Sequence, residues 1–363
     1  MNKYKICVYA IAKNEEKFVK RWYDSVKEAD EVYVLDTGST DNTKELLEEL
    51  GVNVKEIIID PFRFDVARNE SLNMIPLDTD ICVCCDLDEV FEQGWREKLE
   101  NIWQKNTTRL MYNYNWKLDE NNIPLVNFYI EKIHARQNYI WHHPVHEVLK
   151  YTGNDKEYKI TTDKITVNHY PDPNKSRSNY LNLLELSVKE DPLDDRNMHY
   201  LGREYMYYEE WNKAIDTLIR HLSLESATWK DERSASMRFI ARCYQRLNRI
   251  REARMWLDLA INEAPYLREA YLEKAMLEYN EQNFKEVEKN CRKALEIKSH
   301  NKSYINEIFS WDNTVYDLLS VSLYYLENYE EAYKYIKIAL DMAPNDERIK
   351  NNMKLIEEKL NNN

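Results

Sequence analysis

Two aspartates separated by one residue, Asp86 and Asp88, follow an apolar run and are the first residues that could do chemistry. In an extended chain, residues i and i+2 project toward the same side, so we expect both carboxylates to face one point. Like charges held this close repel each other unless a cation or hydrogen-bond donors lie between them. Mg²⁺ and Mn²⁺ prefer oxygen ligands and bridge to a diphosphate. The spacing therefore indicates a divalent cation site, although acidic turns after strands are common without one.

Two other segments place polar residues beside predicted strands and helices. Asp36 closes an apolar run and starts the turn DTGSTDN, which offers a carboxylate and backbone groups to a nucleoside. A plain turn in which Asp41 or Asn42 caps the next helix is an equally open interpretation. Arg68 lies in the first turn of a predicted helix, where its fork of donors suits a phosphate or a nucleotide edge. A surface ion pair is the alternative for Arg68.

Histidines cluster in two later segments, WHHPVHE from Trp141 to Glu147 and VNHYPDP around His169. Imidazole can complete a Mn²⁺ shell that carboxylates begin, and a carboxylate at a strand end can act as a general base. Zinc hydrolysis is the competing interpretation, but the spacing does not match H-E-x-x-H. The cysteines of TDICVCCDLDE are best explained as small hydrophobic residues of a buried strand, because no second pair has zinc spacing.

Short apolar runs alternate with helical segments over the first 170 residues, which predicts βαβ units and a mostly parallel, Rossmann-like sheet. In such open sheets, ligands bind at the carboxyl ends of the strands, where the motifs begin. We predict strands over residues 5–11, 31–35, 54–59 and 81–85, and helices over 14–28, 43–50 and 67–74.

From about residue 179 the apolar pattern becomes entirely helical and repeats four times. The step from Ala253 to Val287 is 34 residues, the period of a tetratricopeptide repeat (TPR), whereas the other two steps are 39 and 45 residues and need insertions. One insertion is expected over His300–Ser310. The sequence thus predicts an α/β domain over residues 1–178 and an all-α, TPR-like domain over 179–363, with an irregular helical domain as the alternative.

The formal net charge of −13 argues against nucleic acid or an anionic membrane as the main partner. No apolar run reaches the roughly 18 residues of a membrane span, and the first residues do not resemble a signal peptide. We therefore expect a cytoplasmic protein.

Four motifs in this order, IAKNEE, VLDTGSTDNT, FDVARNES and CCDLDE, resemble the nucleotide-binding half of family 2 glycosyltransferases with the GT-A fold. The likeness covers roughly residues 4–100. The later segments WHHPVHEVL, VNHYPDPNKSRSNY and MHYLGREY resemble a subgroup in which TPR-like repeats follow the catalytic domain. This subgroup includes the peptide S-glycosyltransferase of sublancin biosynthesis.

The resemblance implies a set of contacts to a nucleotide sugar and a metal ion. Uracil and ribose would lie beside Ala10, Ala12 and Glu15, and Asp86 would also approach the ribose. Asp36 would bind the nucleoside, Arg68 would contact the nucleotide, and Trp141 would contact other substrate groups. His146 or His169 would face the diphosphate or metal, and Lys175 and Arg177 would neutralise phosphate charge. Asp88 and His169 would hold the metal. The Glu-Asp base pair common in the family is absent, and Glu147 is the candidate base.

The function implied by this resemblance is inverting transfer of a hexose or N-acetylhexosamine from UDP-glucose or UDP-N-acetylglucosamine, with Mn²⁺ or Mg²⁺. A protein or peptide side chain is the expected acceptor, in a bacterial protein-glycosylation reaction. Two alternatives stay open: transfer to a lipid-linked or cell-surface glycan precursor, and a non-catalytic repeat scaffold. The repeats could bind the acceptor or form a homodimer.

Overall fold

The computed structural model describes residues 3–173 and 180–362, which form two compact units. The first unit runs to Ser187 and includes the short segment Lys302–Tyr304. The second unit comprises Val188–Asn301 and the chain from Ile305 onward. The predicted domain boundary between residues 178 and 179 lies outside the described residues.

The first unit begins with the predicted alternation of strands and helices. Each predicted strand and helix up to residue 85 is present, with its ends shifted by a few residues. The observed elements are β1 (Ile6–Ala12), α1 (Glu16–Val26), β2 (Glu31–Asp36), α2 (Thr43–Glu49), β3 (Asn53–Glu56), α3 (Phe64–Asn73) and β4 (Ile81–Cys84).

The rest of this unit adds mostly strands to the same sheet. These elements are β5 (Glu89–Phe91), α4 (Trp95–Ile102), β6 (Arg109–Leu118), β7 (Pro124–Ala135), β8 (Tyr139–His142), β9 (Val148–Tyr151), β10 (Lys159–His169) and α5 (Tyr180–Glu190). Eight strands form one sheet in the order β3-β2-β1-β4-β7-β6-β10-β5, and β8 pairs with β9 separately. Four of the seven pairings in the large sheet are parallel, which confirms the predicted α/β class with a mostly parallel sheet.

The strands β1, β2 and β4 run parallel at the centre of the sheet, so their carboxyl ends meet at one edge. In the register, Ala12 pairs with Asp36 and Tyr9 pairs with Cys84. Both faces of β4 are buried, and its neighbouring cysteines are free thiols, which confirms that they fill the core. Trp22 of α1 caps this end of the strand, because its indole N–H donates to the Cys85 carbonyl at 3.1 Å.

The second unit consists of helices, each packed on the next along the chain. After α5, these are α6 (Asp195–Tyr207), α7 (Trp211–Ser223), α8 (Lys230–Arg246), α9 (Ile250–Glu263), α10 (Arg268–Asn280), α11 (Phe284–Glu296), a 3₁₀ turn (Ile308–Ser310), α12 (Thr314–Tyr325), α13 (Tyr329–Met342) and α14 (Glu347–Asn362). Among the helices of the described residues, none is long and apolar enough to cross a membrane.

The same turn joins the two helices of each pair from α6 to α13. Glu209, Asn248, Gln282 and Glu327 all have positive φ, between 56° and 63°. The next residue of each turn donates its N–H to a carbonyl five positions earlier at 2.8–2.9 Å, as in a Schellman motif. These four turns are 39, 34 and 45 residues apart, which confirms the predicted steps and the helical-repeat class.

Small residues bring the paired helices close together, as the sequence pattern requires. A Cβ on Gly202 of α6 would lie 2.5 Å from the Cγ of Leu218 in α7. Ala253 and Val287, one period apart, are both fully buried. The predicted insertion lies between α11 and α12 and contains the 3₁₀ turn.

Candidate functional site

The two aspartates lie in a tight turn at the carboxyl end of β4. The N–H of Glu89 donates to the Asp86 carbonyl at 2.9 Å, so the chain reverses over Asp86–Glu89. The expectation of an extended chain at this point is wrong, because the turn separates the directions of the two carboxylates. Asp86 and Asp88 consequently contact different partners.

Asp86 is held by two cations. Arg68 forms a bidentate ion pair with it, Nη1 donating to Oδ1 at 2.5 Å and Nη2 to Oδ2 at 2.8 Å. The Nζ of Lys132, on β7, donates to Oδ2 at 2.8 Å. Arg68 is only 5% exposed. A buried guanidinium in this bidentate geometry fixes both the position and the charge of the carboxylate.

Glu89 completes this buried group of charges. Its Oε1 accepts from Lys132 Nζ at 2.7 Å and from the Tyr114 hydroxyl at 3.0 Å, and its Oε2 accepts from the Asp86 N–H at 2.9 Å. Both carboxylate oxygens are thus engaged within the turn. Glu89 is 2% exposed, and its contacts make the turn a rigid part of the sheet edge.

Burial and charge act in opposite directions on these carboxyls. Burial alone would raise the pKa of Asp86, but Arg68 and Lys132 outweigh it and hold this pKa far below its ordinary range. Burial raises the pKa of Glu89, and the charge of Asp86 adds to the effect. Asp86 is therefore the member of the pair that is firmly ionised.

Arg68 also connects the turn to the histidine-rich segment. Its Nε donates to Glu147 Oε1 at 2.7 Å, and its guanidinium lies over the Trp141 ring, 5.1 Å from the centroid. The Trp141 indole N–H donates to the Tyr9 hydroxyl at 2.9 Å. The guanidinium of Arg68 thus contacts three of the predicted site residues, Asp86, Glu147 and Trp141.

Asp88 faces His169, at the end of β10. The Asp88 Oδ2 lies 3.4 Å from His169 Nε2. Burial would lower the pKa of His169, but Asp88 and the Trp116 carbonyl outweigh burial and raise it. His169 Nδ1 lies 3.1 Å from that carbonyl, and Trp116 stacks on the imidazole at 4.4 Å. If Nδ1 donates to the carbonyl, Nε2 presents its lone pair toward Asp88.

Asp36 organises the turn after β2. Its Oδ1 accepts from the N–H groups of Gly38 and Ser39, both at 2.8 Å, and its Oδ2 accepts from the Ser39 hydroxyl at 2.5 Å. Gly38 has φ +97°. Asp41 accepts from the Thr43 N–H at 3.0 Å. The turn therefore stabilises itself and the start of α2, and Asp36, 1% exposed, is largely committed to it.

The other predicted residues lie in varied surroundings. Ala10 and Ala12 pack their side chains in the core, so only their backbone faces the strand ends. Glu15 is 7% exposed, and its N–H donates to the Thr43 hydroxyl oxygen at 2.7 Å. The His146 ring lies edge-on to Tyr180, with centroids 5.9 Å apart. Lys175 and Arg177 lie outside the described residues.

A cavity of about 480 Å³ adjoins His169 in the first unit. Its size falls within the range of small-molecule sites. Three cationic residues and several rings line it. The lining includes Lys17, Phe18, Arg21, Trp116, Lys117, Asn122 and Tyr170.

Sequence analysis missed Lys132, Glu89 and Trp116. Lys132 contacts Asp86 across 46 residues of sequence, through strand pairing that local patterns do not encode. A lysine between Ile130 and Ile133 in the strand segment YIEKIHA is the local signal for it. Glu89 belongs to the CCDLDE motif, and its place directly before the apolar Val90 and Phe91 could have indicated burial.

Comparison with known proteins shows that part of the chain matches a family model. Residues 7–158 match the model for Glycosyl transferase family 2. No curated protein matches the chain.

Among solved structures, similar chains include MamA, YrrB and a thermophilic TPR protein in Thermus thermophilus. MamA is 18% identical over 45% of this chain and 86% of its own, with a TM-score of 0.37. YrrB, a TPR protein, is 17% identical over 49% and 83%, with a TM-score of 0.36. The Thermus protein is 16% identical over 48% and 88%, with a TM-score of 0.35. These scores are too low to support any functional conclusion.

The matched residues include the turn Asp86–Glu89, Arg68, Lys132 and Glu147 but end before His169. Residues 7–158 are thus similar to glycosyl transferase family 2 domains, which supports a glycosyl transfer function, and a helical-repeat region follows them.

Proposed function

We propose that this protein is an inverting, metal-dependent glycosyltransferase that moves a hexose or N-acetylhexosamine from a UDP-sugar to a protein or peptide side chain. The observation that supports it best is the pair of Asp88 Oδ2 and His169 Nε2, 3.4 Å apart at the edge where β4 ends. This pair lies beside a carboxylate, Asp86, that is fixed by two cations.

The donor set of Asp88 and His169 fits a divalent cation. Ligand atoms bound at about 2.1 Å to one ion lie roughly 3.0–3.4 Å apart in octahedral or tetrahedral geometry. The Trp116 carbonyl holds the imidazole so that Nε2 is available. When bound, Mn²⁺ or Mg²⁺ would supply positive charge to the diphosphate leaving group.

The chain's own residues would bind and orient the donor. Asp36, at the end of β2, lies in the turn that would border the nucleoside, as Ala10, Ala12 and Glu15 would border the base and ribose. Asp86 would accept from a ribose hydroxyl, and the Arg68 and Lys132 contacts keep that carboxylate ionised and in place. Preorganised charges of this kind need no rearrangement when the substrate binds.

Three further roles complete the substrate site in this proposal. Trp141 would support the donor indirectly, because the guanidinium of Arg68 lies over its ring. His146 would face the diphosphate as an alternative to His169. Lys175 and Arg177 would neutralise phosphate charge.

Glu147 is our proposed base for the acceptor proton. Its side chain is 11% exposed, and one oxygen accepts from Arg68 Nε. The second oxygen would take the proton as the acceptor attacks the anomeric carbon. A single displacement of this kind inverts that carbon.

The helical unit supports a polypeptide acceptor in this proposal. Stacked helix pairs present an extended surface that suits an unfolded or extended chain. The domain division we propose is the transferase over residues 1–178 and the repeats over 179–363.

The test is transfer by the full chain, purified free of metal and supplied with UDP-glucose or UDP-N-acetylglucosamine and Mn²⁺. UDP release is measured together with the mass of candidate peptides. We expect metal-dependent UDP release that Asp88→Asn and His169→Gln each reduce by at least 100-fold, since both remove a proposed ligand.

The matched control is Asp78→Asn, which removes an acid whose side chain is 74% exposed, before the opposite end of β4. We expect full activity from this variant. Undiminished transfer by Asp88→Asn would overturn the metal assignment. Absence of both UDP-sugar binding and UDP release in the parent protein would instead favour the scaffold hypothesis.

A further inference from the structure

A second group of potential metal ligands lies in the helical unit, apart from the transferase domain. Asp195 begins α6, His221 lies in the last turn of α7, and Glu232 lies in the first turn of α8. One ligand atom from each lies within 4.8 Å of the others. Three consecutive helices of the repeat unit thus converge at this group.

The imidazole of His221 is the observation that points to a ligand. His221 is fully buried, and among the described residues its Nε2 has no hydrogen-bond partner. This nitrogen lies 3.4 Å from Glu232 Oε1 without the geometry of a hydrogen bond. A buried polar atom without a partner destabilises the folded state, so its persistence requires an explanation.

The other ring nitrogen of His221 is already engaged. The Ser236 hydroxyl lies 2.9 Å from His221 Nδ1 and 2.7 Å from His199 Nδ1. One hydroxyl has one proton, so it can donate to only one of the two imidazoles, and the other must donate to it. When His221 is that donor, its Nε2 carries a lone pair that faces a carboxylate oxygen.

A lone pair and a carboxylate oxygen at 3.4 Å repel each other unless a proton or a cation lies between them. The separation equals the roughly 3.4 Å edge of a tetrahedron around an ion with bonds of about 2.1 Å. Asp195 is half-exposed at the start of its helix, so a rotamer change can bring its carboxylate to the same ion.

We propose that Asp195, His221 and Glu232 form a binding site for a divalent transition-metal ion of the Zn²⁺ class, which fastens α6, α7 and α8 together. One imidazole and two carboxylates suit such an ion, with water at the fourth position. Ser236 orients the imidazole from behind, as outer-shell partners of metal ligands do. The ion would stabilise the first repeats of the unit independently of glycosyl transfer.

The experiment uses the full chain carrying Asp88→Asn, stripped with chelator, so that the proposed transferase metal does not obscure the result. Zn²⁺ alone is titrated by calorimetry, and Co²⁺ is added in a parallel sample to record its visible absorption. We expect one equivalent of Zn²⁺ to bind, a tetrahedral Co²⁺ spectrum, and slower hydrogen exchange in the α6–α8 peptides.

Asp195→Asn should weaken Zn²⁺ binding at least tenfold, because it removes a half-exposed ligand without disturbing the core. His221→Gln should abolish both binding and the Co²⁺ spectrum. The control is Asp216→Asn, an exposed acid on the same helix as His221, which should bind as the parent does.

Equal Zn²⁺ affinity in Asp195→Asn and Asp216→Asn, or no Zn²⁺ binding in the parent, would overturn the proposal. The cluster would then be a buried contact between an imidazole and a carboxylate beside two helix ends. Should His221→Gln fail to fold, Asp195→Asn and the Co²⁺ spectrum of the parent still decide the outcome.

Discussion

Replacing Arg68 with methionine tests whether the charges at the end of β4 are buried as the structure places them. Methionine fills a similar length but removes the bidentate pair with Asp86 and the contact with Glu147. Asp86 then retains only the Lys132 contact of the three described hydrogen bonds to its carboxylate. Breaking a buried ion pair in this way costs about 3–5 kcal/mol.

The assay is hydrogen exchange of the full chain, followed by mass spectrometry of peptides that contain β4 (Ile81–Cys84). The slowest amides of this central strand report the free energy of unfolding of the first unit. In Arg68→Met we expect these amides to lose about 3–5 kcal/mol of protection. A companion variant, Arg63→Met, removes a partly exposed cation that pairs with Asp65 and should cost about 1 kcal/mol or less.

A double-mutant cycle with Asp86→Asn separates the ion pair from simple loss of packing. The double variant should cost at least about 1 kcal/mol less than the sum of its two single variants, because the stranded carboxylate is removed as well. Strict additivity, or equal small costs for Arg68→Met and Arg63→Met, would refute the buried cluster.

Two other perturbations test the same domain. Burial lowers the pKa of His134 to about 3 from 6.5, so the unfolded chain takes up a proton first as pH falls. His134 therefore lowers the free energy of unfolding below about pH 6.5, by roughly 2 kcal/mol at pH 5. In His134→Gln, the free energy of unfolding should decrease by that much less between about pH 7.5 and pH 5. An unchanged pH dependence would show that the imidazole is not buried neutral. Gly38→Ala and Gly51→Ala should both lower thermal stability, since both glycines have positive φ, but only Gly38→Ala should lower UDP affinity, because Gly38 lies in the turn that Asp36 holds. Equal losses of UDP affinity in the two variants, measured by UDP titration, would contradict a role for the Asp36 turn.

The strands and helices up to β4 were predictable because each is a short apolar run or an amphipathic stretch bounded by turn residues. The later strands lack that regularity. Most of β7 is only half-buried, without clear alternation, and the pairing of β10 shifts register between Thr162 and Thr166. Period-two patterns fail where a strand is irregular or half-buried on both faces.

The chemistry at the strand end was predictable by residue type but not by partner. The CCDLDE motif indicated the acids, yet the turn that separates Asp86 from Asp88 depends on contacts to Glu89 and Lys132. Arg68 was expected at a nucleotide and instead holds two carboxylates, although a ligand contact from it stays a prediction. Long-range pairing decides such contacts, and local spacing carries no information about it.

The helical repeats were the most predictable part, because small residues recur in the sequence at the positions where paired helices pack closely. The steps of 39, 34 and 45 residues between Glu209, Asn248, Gln282 and Glu327 follow directly from the sequence spacing. The cluster around His221 was not predicted, since its ligands come from three helices and match no local metal motif.

The most direct test of the transferase proposal is the anomalous diffraction of a crystal soaked with Mn²⁺ and UDP. We predict a manganese peak within about 2.5 Å of both Asp88 Oδ2 and His169 Nε2, bridging to the diphosphate of UDP. A complex in which UDP binds while these two atoms hold no manganese would contradict the account.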